Sequence, residues 1–173
     1  MIIIGYQGIG KSTLSNEDAN YIDLESGNFW IDGKRADDWY KPYCKIAEHL
    51  SQQGYRVFVS SHECVRNRLK DSSEQVVCCV PAIHLKDQWI EKLKKRYESD
   101  MSEKNYKAYM NAVDRYEDNI AEIESSGFPT VVLNSMDYDL DAEIRRQYNA
   151  MKNFIHQAER GELERLSDDE RDF

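Results

Sequence analysis

Apolar residues follow two rhythms along the chain. Five short runs are apolar at nearly every position: Met1–Ile4, Tyr21–Leu24, Arg56–Ser60, Gln75–Val80 and Thr130–Leu133. Their length and β-branched content predict strands. Between them apolar positions recur every three or four residues, which predicts helices with one buried face. Trp39, Tyr43, Ile46, Ala47 and Leu50 make one such face, with Gly54 as its stop. Leu85, Trp89, Leu93 and Tyr97 make a second. Tyr106, Tyr109, Met110, Val113, Ile120 and Ile123 make a third, ending at Ser126–Gly127. Leu140, Ile144, Met151 and Ile155 make a fourth, ending before Gly161.

Strands that alternate with helices predict an α/β fold: a parallel sheet of about five strands, joined by right-handed crossovers, with helices on both faces. Val76–Val80, apolar throughout, suits a strand covered on both sides. Ligands of such sheets bind at the carboxyl ends of the strands, so chemistry is sought there.

Length and charge narrow the picture. The 173 residues suit one domain over positions 1–160, followed by an acidic tail over 161–173. With 23 Lys+Arg against 32 Asp+Glu the net charge is −9. That balance argues against nucleic-acid binding, yet a local cationic site can still hold a small phosphorylated ligand. No apolar run approaches the roughly 20 residues of a membrane span, and the amino terminus has no basic, apolar leader, so neither a membrane partner nor a secretory signal is expected. Cys78 and Cys79 are adjacent in an apolar run, and Cys44 and Cys64 stand apart from them. The spacing fits reduced, mostly buried thiols of a cytoplasmic protein.

The most specific string is Gly5-Tyr6-Gln7-Gly8-Ile9-Gly10-Lys11-Ser12-Thr13, which contains G-x-x-x-x-G-K-S directly after a predicted strand and before a predicted helix. Glycines let the backbone turn and approach a ligand where a Cβ would intrude. Successive N–H groups of Gly8, Ile9 and Gly10 would face phosphate oxygens. Lys11 would reach the terminal phosphates, and the Ser12 hydroxyl, with Thr13 beside it, would serve Mg²⁺. The second strand ends in acids, Asp23 and Glu25. As a neighbour of the first in a parallel sheet it would deliver them to the same rim, where Asp23 accepts a substrate proton or supports Mg²⁺ and Glu25 assists. The third strand ends Ser60-Ser61-His62-Glu63 without an acid. Ser61 reads as a helix cap and His62 as a candidate substrate contact. Phe29 and Trp30, in the loop after Asp23, are candidates to line a substrate pocket.

These pieces together resemble the small-molecule kinases grouped with gluconate kinase, shikimate kinase and the nucleoside monophosphate kinases. The resemblance covers roughly positions 1–144. It rests on GYQGIGKST, then YIDLESGNF with Asp23 at the first acid of a D-x-D segment and Glu25 at the second. DDWYKP, VFVSSHECVRNRL and DQWIEKLKKRY follow in order. It implies a three-layer P-loop NTPase fold with a helical lid at about 92–108, ATP as donor and Mg²⁺ as metal. It also implies catalytic cations arriving with the lid: Arg96 and Lys92 stand at two arginine positions, with Lys94, Lys95 and Lys104 nearby. Arg66 falls where related kinases hold an acceptor's anionic group, and Asn134 falls in the loop beside the nucleotide base. The expected activity is ATP-dependent transfer to a small molecule, first a nucleoside monophosphate or deoxynucleotide, second a sugar acid or other hydroxyl compound. The rival is a regulatory protein that binds ATP or GTP with little turnover. A homodimer is one option for its assembly.

Overall fold

The computed structural model describes residues 1–29 and 34–169, with 161–169 as backbone. Its centre is one sheet of five strands: β1 (Ile2–Gly5), β2 (Tyr21–Asp23), β3 (Arg56–Val59), β4 (Val76–Pro81) and β5 (Thr130–Leu133). Every pairing is parallel, in the order β2-β3-β1-β4-β5. Ile2, Ile3 and Ile4, and all six residues of β4, are buried, as continuous apolar runs require when helices cover a parallel sheet. Among the described residues six α-helices accompany the sheet: α1 (Lys11–Glu17), α2 (Tyr40–Gln52), α3 (Glu63–Leu69), α4 (Lys86–Ser99), α5 (Glu103–Glu124) and α6 (Leu140–Asp169). The arrangement is compatible with a three-layer α/β architecture.

Strand order departs from one expectation. β2 is not the neighbour of β1, because β3 lies between them. The chain leaves β1 toward the β2 edge, returns to β3, then crosses β1 to reach β4 and β5. Connections after β1 and β4 therefore diverge, and the carboxyl end of β1 sits at the point where the winding reverses, the usual place for a crevice in such sheets.

Two further details differ from the sequence reading. The last helix does not stop before Gly161 but continues to Asp169. The residue capping α3 is His62 rather than Ser61, and no side chain accepts a hydrogen bond there. Trp30 lies outside the described residues. The four cysteines are free, with Cys44, Cys78 and Cys79 buried and Cys64 half-buried. No helix, among the described residues, is long and apolar enough to cross a membrane.

The α4–α5 pair is a helical hairpin, and its turn is tied by Asn105. That side chain is buried and donates to both the carbonyl and a carboxylate oxygen of Asp100, at 2.9 Å each. Ser102 caps α5 by accepting from the Asn105 N–H. α5 breaks its helical geometry once, at Arg115. The segment before the break reaches the β1–α1 loop; the segment after it buries Tyr116, Ile120 and Ile123, and the Tyr116 hydroxyl donates to Ala82 O at 2.9 Å.

Candidate functional site at the carboxyl rim of the sheet

The loop from Tyr6 to Gly10 leaves β1 at the reversal point. Gly8 and Gly10 adopt φ of 81° and 95°, left-handed values that side chains disfavour. Gly8 has a second reason to be glycine. A Cβ there would stand 2.9 Å from Leu93 Cδ2 and 3.2 Å from Trp89 Nε1, both on α4. Ile9 points the other way and is fully buried, anchoring the loop from below. Among the described residues, the N–H groups of Gly8, Gly10, Lys11 and Ser12 find no acceptor in the protein. Free donors gathered in one short turn make a nest suited to an anion.

Lys11 begins α1 and folds its side chain back over the loop. Its ammonium donates to Gly5 O and Tyr6 O at 3.3 Å each. Burial pushes it below its ordinary value, against the opposing pull of Asp23 and Glu25. Ser12 Oγ donates to Asp23 Oδ2 at 2.6 Å. This bond shows how β2 contributes to the rim without touching β1: the first turn of α1 reaches past β3 to meet the end of β2. Thr13, next on α1, is exposed. Glu25, two residues after Asp23, pairs with Lys104 at 2.7 Å. The α4–α5 hairpin thus delivers a cation to the acids of β2, and Lys104 is also close enough to Lys11 to weigh on its charge. Sequence reasoning had Lys104 only as a neighbour of Arg96 and Lys92. Its position follows from the Asp100–Asn105 turn, which no spacing rule reveals.

Arg96 and Lys92 lie one turn apart on α4 and behave differently. Arg96 is exposed. Lys92 is half-buried, its ammonium 3.0 Å from the Tyr138 hydroxyl and over the rings of Trp89 and Tyr138 at 4.5 and 5.1 Å. Desolvation lowers its pKa. Tyr138 in turn donates to Ile9 O at 3.0 Å, and Trp89 Nε1 donates to Gln7 O at 3.0 Å. Gln7 Nε2 completes the seam by donating to Ala108 O on α5 at 2.9 Å. Tyr138 and Gln7 were missed from the sequence: the former sits in a polar stretch without periodicity, and the latter occupies a variable position of the motif.

The remaining candidates occupy other places on the rim or inside it. Phe29 is half-buried and packs against the core, edge-on to Tyr43 at 5.4 Å and tilted to Trp39 at 6.2 Å. Arg66 is only 7% exposed; it donates to Ser61 O and pairs with Glu122 at 3.7 Å. That guanidinium is spent on holding the β3–α3 turn to α5. His62 bonds Ser60 Oγ through Nδ1 at 2.7 Å and stands edge-on to Trp39. Desolvation, then the charges of Arg35 and Arg66, lower its pKa. Asn134, exposed after β5, donates back to Val132 O at 3.2 Å, a turn contact. Two concavities are lined by residues other than those of the β1–α1 loop. One of about 430 Å³ is lined by Tyr40, Lys41, Cys64, Asn67 and Arg68, and one of about 230 Å³ opens near Met1, Arg56 and Tyr148.

The donor set bears on a metal. Among the described residues no group of three or more His, Cys, Asp or Glu side chains gathers that could hold an ion alone. One hydroxyl and one carboxylate at 2.6 Å suit a cation that takes its other oxygens from water and phosphate, the habit of Mg²⁺. No family model matches this chain, and a search of curated proteins likewise finds no match.

Proposed function

We propose that the protein is an ATP-dependent phosphotransferase acting on a small molecule, with a P-loop between β1 and α1. The observation that carries this reading is the set of free N–H groups at Gly8, Gly10, Lys11 and Ser12, turned by two left-handed glycines and overlaid by the Lys11 ammonium. Such a nest compensates a polyphosphate with fixed dipoles that need no reorganisation. Ser12 and Asp23 would hold Mg²⁺, which supplies charge neutralisation of the transferred phosphoryl group. Lys11 steadies the terminal phosphates. Asp23, opposite, orients the acceptor hydroxyl or takes its proton. Glu25 holds Lys104 at the mouth, and Arg96, exposed one turn beyond Lys92, is a candidate to meet incoming charge.

The first choice of acceptor is a nucleoside monophosphate or deoxynucleotide. A sugar acid or other hydroxyl compound is the second, favoured by the Asp23–Glu25 pair. The test is ADP release measured with a panel of both acceptor classes. Stimulation by one acceptor, absent from a Lys11→Ala variant that keeps its unfolding midpoint, is the expected result. MgATP binding without stimulated release by any acceptor would favour a regulatory nucleotide-binding protein instead. No binding at all would end both readings.

A further inference from the structure

A cation and two rings grip the β1–α1 loop from outside. Trp89 and Tyr138 stack at 6.2 Å with their planes 12° apart, although one lies on α4 and the other precedes α6. The Lys92 ammonium lies over both faces and donates to the Tyr138 hydroxyl. Among the described residues no carboxylate pairs with Lys92; its partners are one hydroxyl and two π faces. The hydroxyl's own proton goes to Ile9 O, so ammonium, hydroxyl and carbonyl form one polarised chain. Trp89 meanwhile holds Gln7 O.

Peptide geometry turns these two contacts into a statement about the loop's other side. A trans peptide plane points its C=O and the following N–H in opposite directions. Drawing the carbonyls of Gln7 and Ile9 toward Trp89 and Tyr138 aims the N–H groups of Gly8 and Gly10 away from them. Among the described residues neither N–H finds an acceptor in the protein. We propose that Lys92 and Tyr138, with Trp89, are positioning residues that hold peptides 7–8 and 9–10 with their N–H groups facing the phosphate side. This assigns Lys92 to the loop's backbone rather than to the transferred phosphoryl group. The phosphate role rests on the function proposed above; the clamp itself does not.

The experiment separates the two. Order parameters of the Gly8 and Gly10 N–H vectors are measured by NMR in nucleotide-free protein, and binding of a non-hydrolysable Mg²⁺–ATP analogue is measured by calorimetry. The variants are Tyr138→Phe, Lys92→Met and Lys92→Arg. Tyr138→Phe keeps the ring and removes only the relay. It is expected to drop the Gly10 order parameter from about 0.85 toward about 0.6 while Gly8, still held through Trp89, changes less, and to weaken the analogue about tenfold. Lys92→Met is expected to weaken it about threefold, and Lys92→Arg, which still stacks on rings, to restore most of that loss. Unchanged order parameters and unchanged affinity in Tyr138→Phe would overturn the proposal. If the parent protein binds no analogue while Tyr138→Phe still loosens Gly10, the clamp stands and the phosphotransferase reading falls.

Discussion

Gly8 and Gly10 share a motif and a left-handed backbone, but substitution should cost them different amounts. At Gly10 an added Cβ meets nothing closer than Leu140 Cδ2 at 4.0 Å, so Gly10→Ala bears only the backbone strain, about 1 kcal/mol. At Gly8 the same change adds an overlap with Leu93 and Trp89, and the sum should reach about 3 kcal/mol by urea unfolding. Equal losses would mean that α4 does not press on the loop. His62 offers a second test at this scale. Its ring is partly open to solvent, but the edge against Trp39 and the nearby Arg35 and Arg66 lower its folded pKa below the unfolded value. Below that unfolded value the unfolded chain binds more protons, so stability falls as pH drops through the window between the two values. His62→Gln should therefore flatten the decline in unfolding midpoint between about pH 7.5 and about pH 5.5. A decline as steep as in the parent protein would show that the ring's surroundings cost its cation nothing.

At the scale of elements, β5 is an edge strand whose outer groups are closed by a side chain. Gln147 on α6 accepts from Val132 N at 2.9 Å and donates to Val132 O at 2.8 Å, mimicking the next strand. Gln147→Ala should lose about 1 kcal/mol. Gln147→Glu, equal in size, should lose at least as much, because a carboxylate faces the carbonyl. A harmless Glu variant would reduce the contact to packing. This pairing also shows where sequence reading runs out. Thr130–Leu133 was legible as a strand because its burial alternates or saturates locally, and α2, α4 and α5 were legible because each buries one stripe. The order of strands was not, since a strand's own residues do not say that β3 must enter between β1 and β2. Nor was the Ser12–Asp23 bond's route across that gap. The glycines, Lys11 and Asp23 could be singled out because their residue types, in that order after a strand, suit a phosphate loop beside an acid. Tyr138 could not: its value lies in one hydroxyl meeting the Ile9 carbonyl, a contact 129 residues apart in sequence. Arg66 shows the opposite: its guanidinium looks free in sequence, yet in the structure it is buried against the Ser61 carbonyl and Glu122.

For the molecule as a whole, the distant and the near fields disagree. The chain carries −9, which repels a polyphosphate from afar. Close to the loop that repulsion is not reversed by a strong cationic patch: Lys104 is matched by Glu25 at 2.7 Å, and the Lys11 ammonium has Asp23 and Glu25 as its nearest opposing charges. A ligand would then be held by oriented amides and one lysine at short range rather than drawn in by long-range attraction. Screening should accordingly help its approach. Raising ionic strength from about 0.01 M to about 0.15 M shortens the Debye length from about 30 Å to about 8 Å, which hides most of the remote acids while leaving the loop's own dipoles in contact. The association rate constant of Mg²⁺–ATP, followed by stopped-flow Trp fluorescence, should rise about twofold over that range. Glu25→Gln should raise the low-salt rate and reduce the salt dependence, because it frees Lys104 beside the loop. A rate that instead falls with salt in the parent protein would mean that Lys11, Lys92, Lys104 and Arg96 steer the anion together despite the acidic whole.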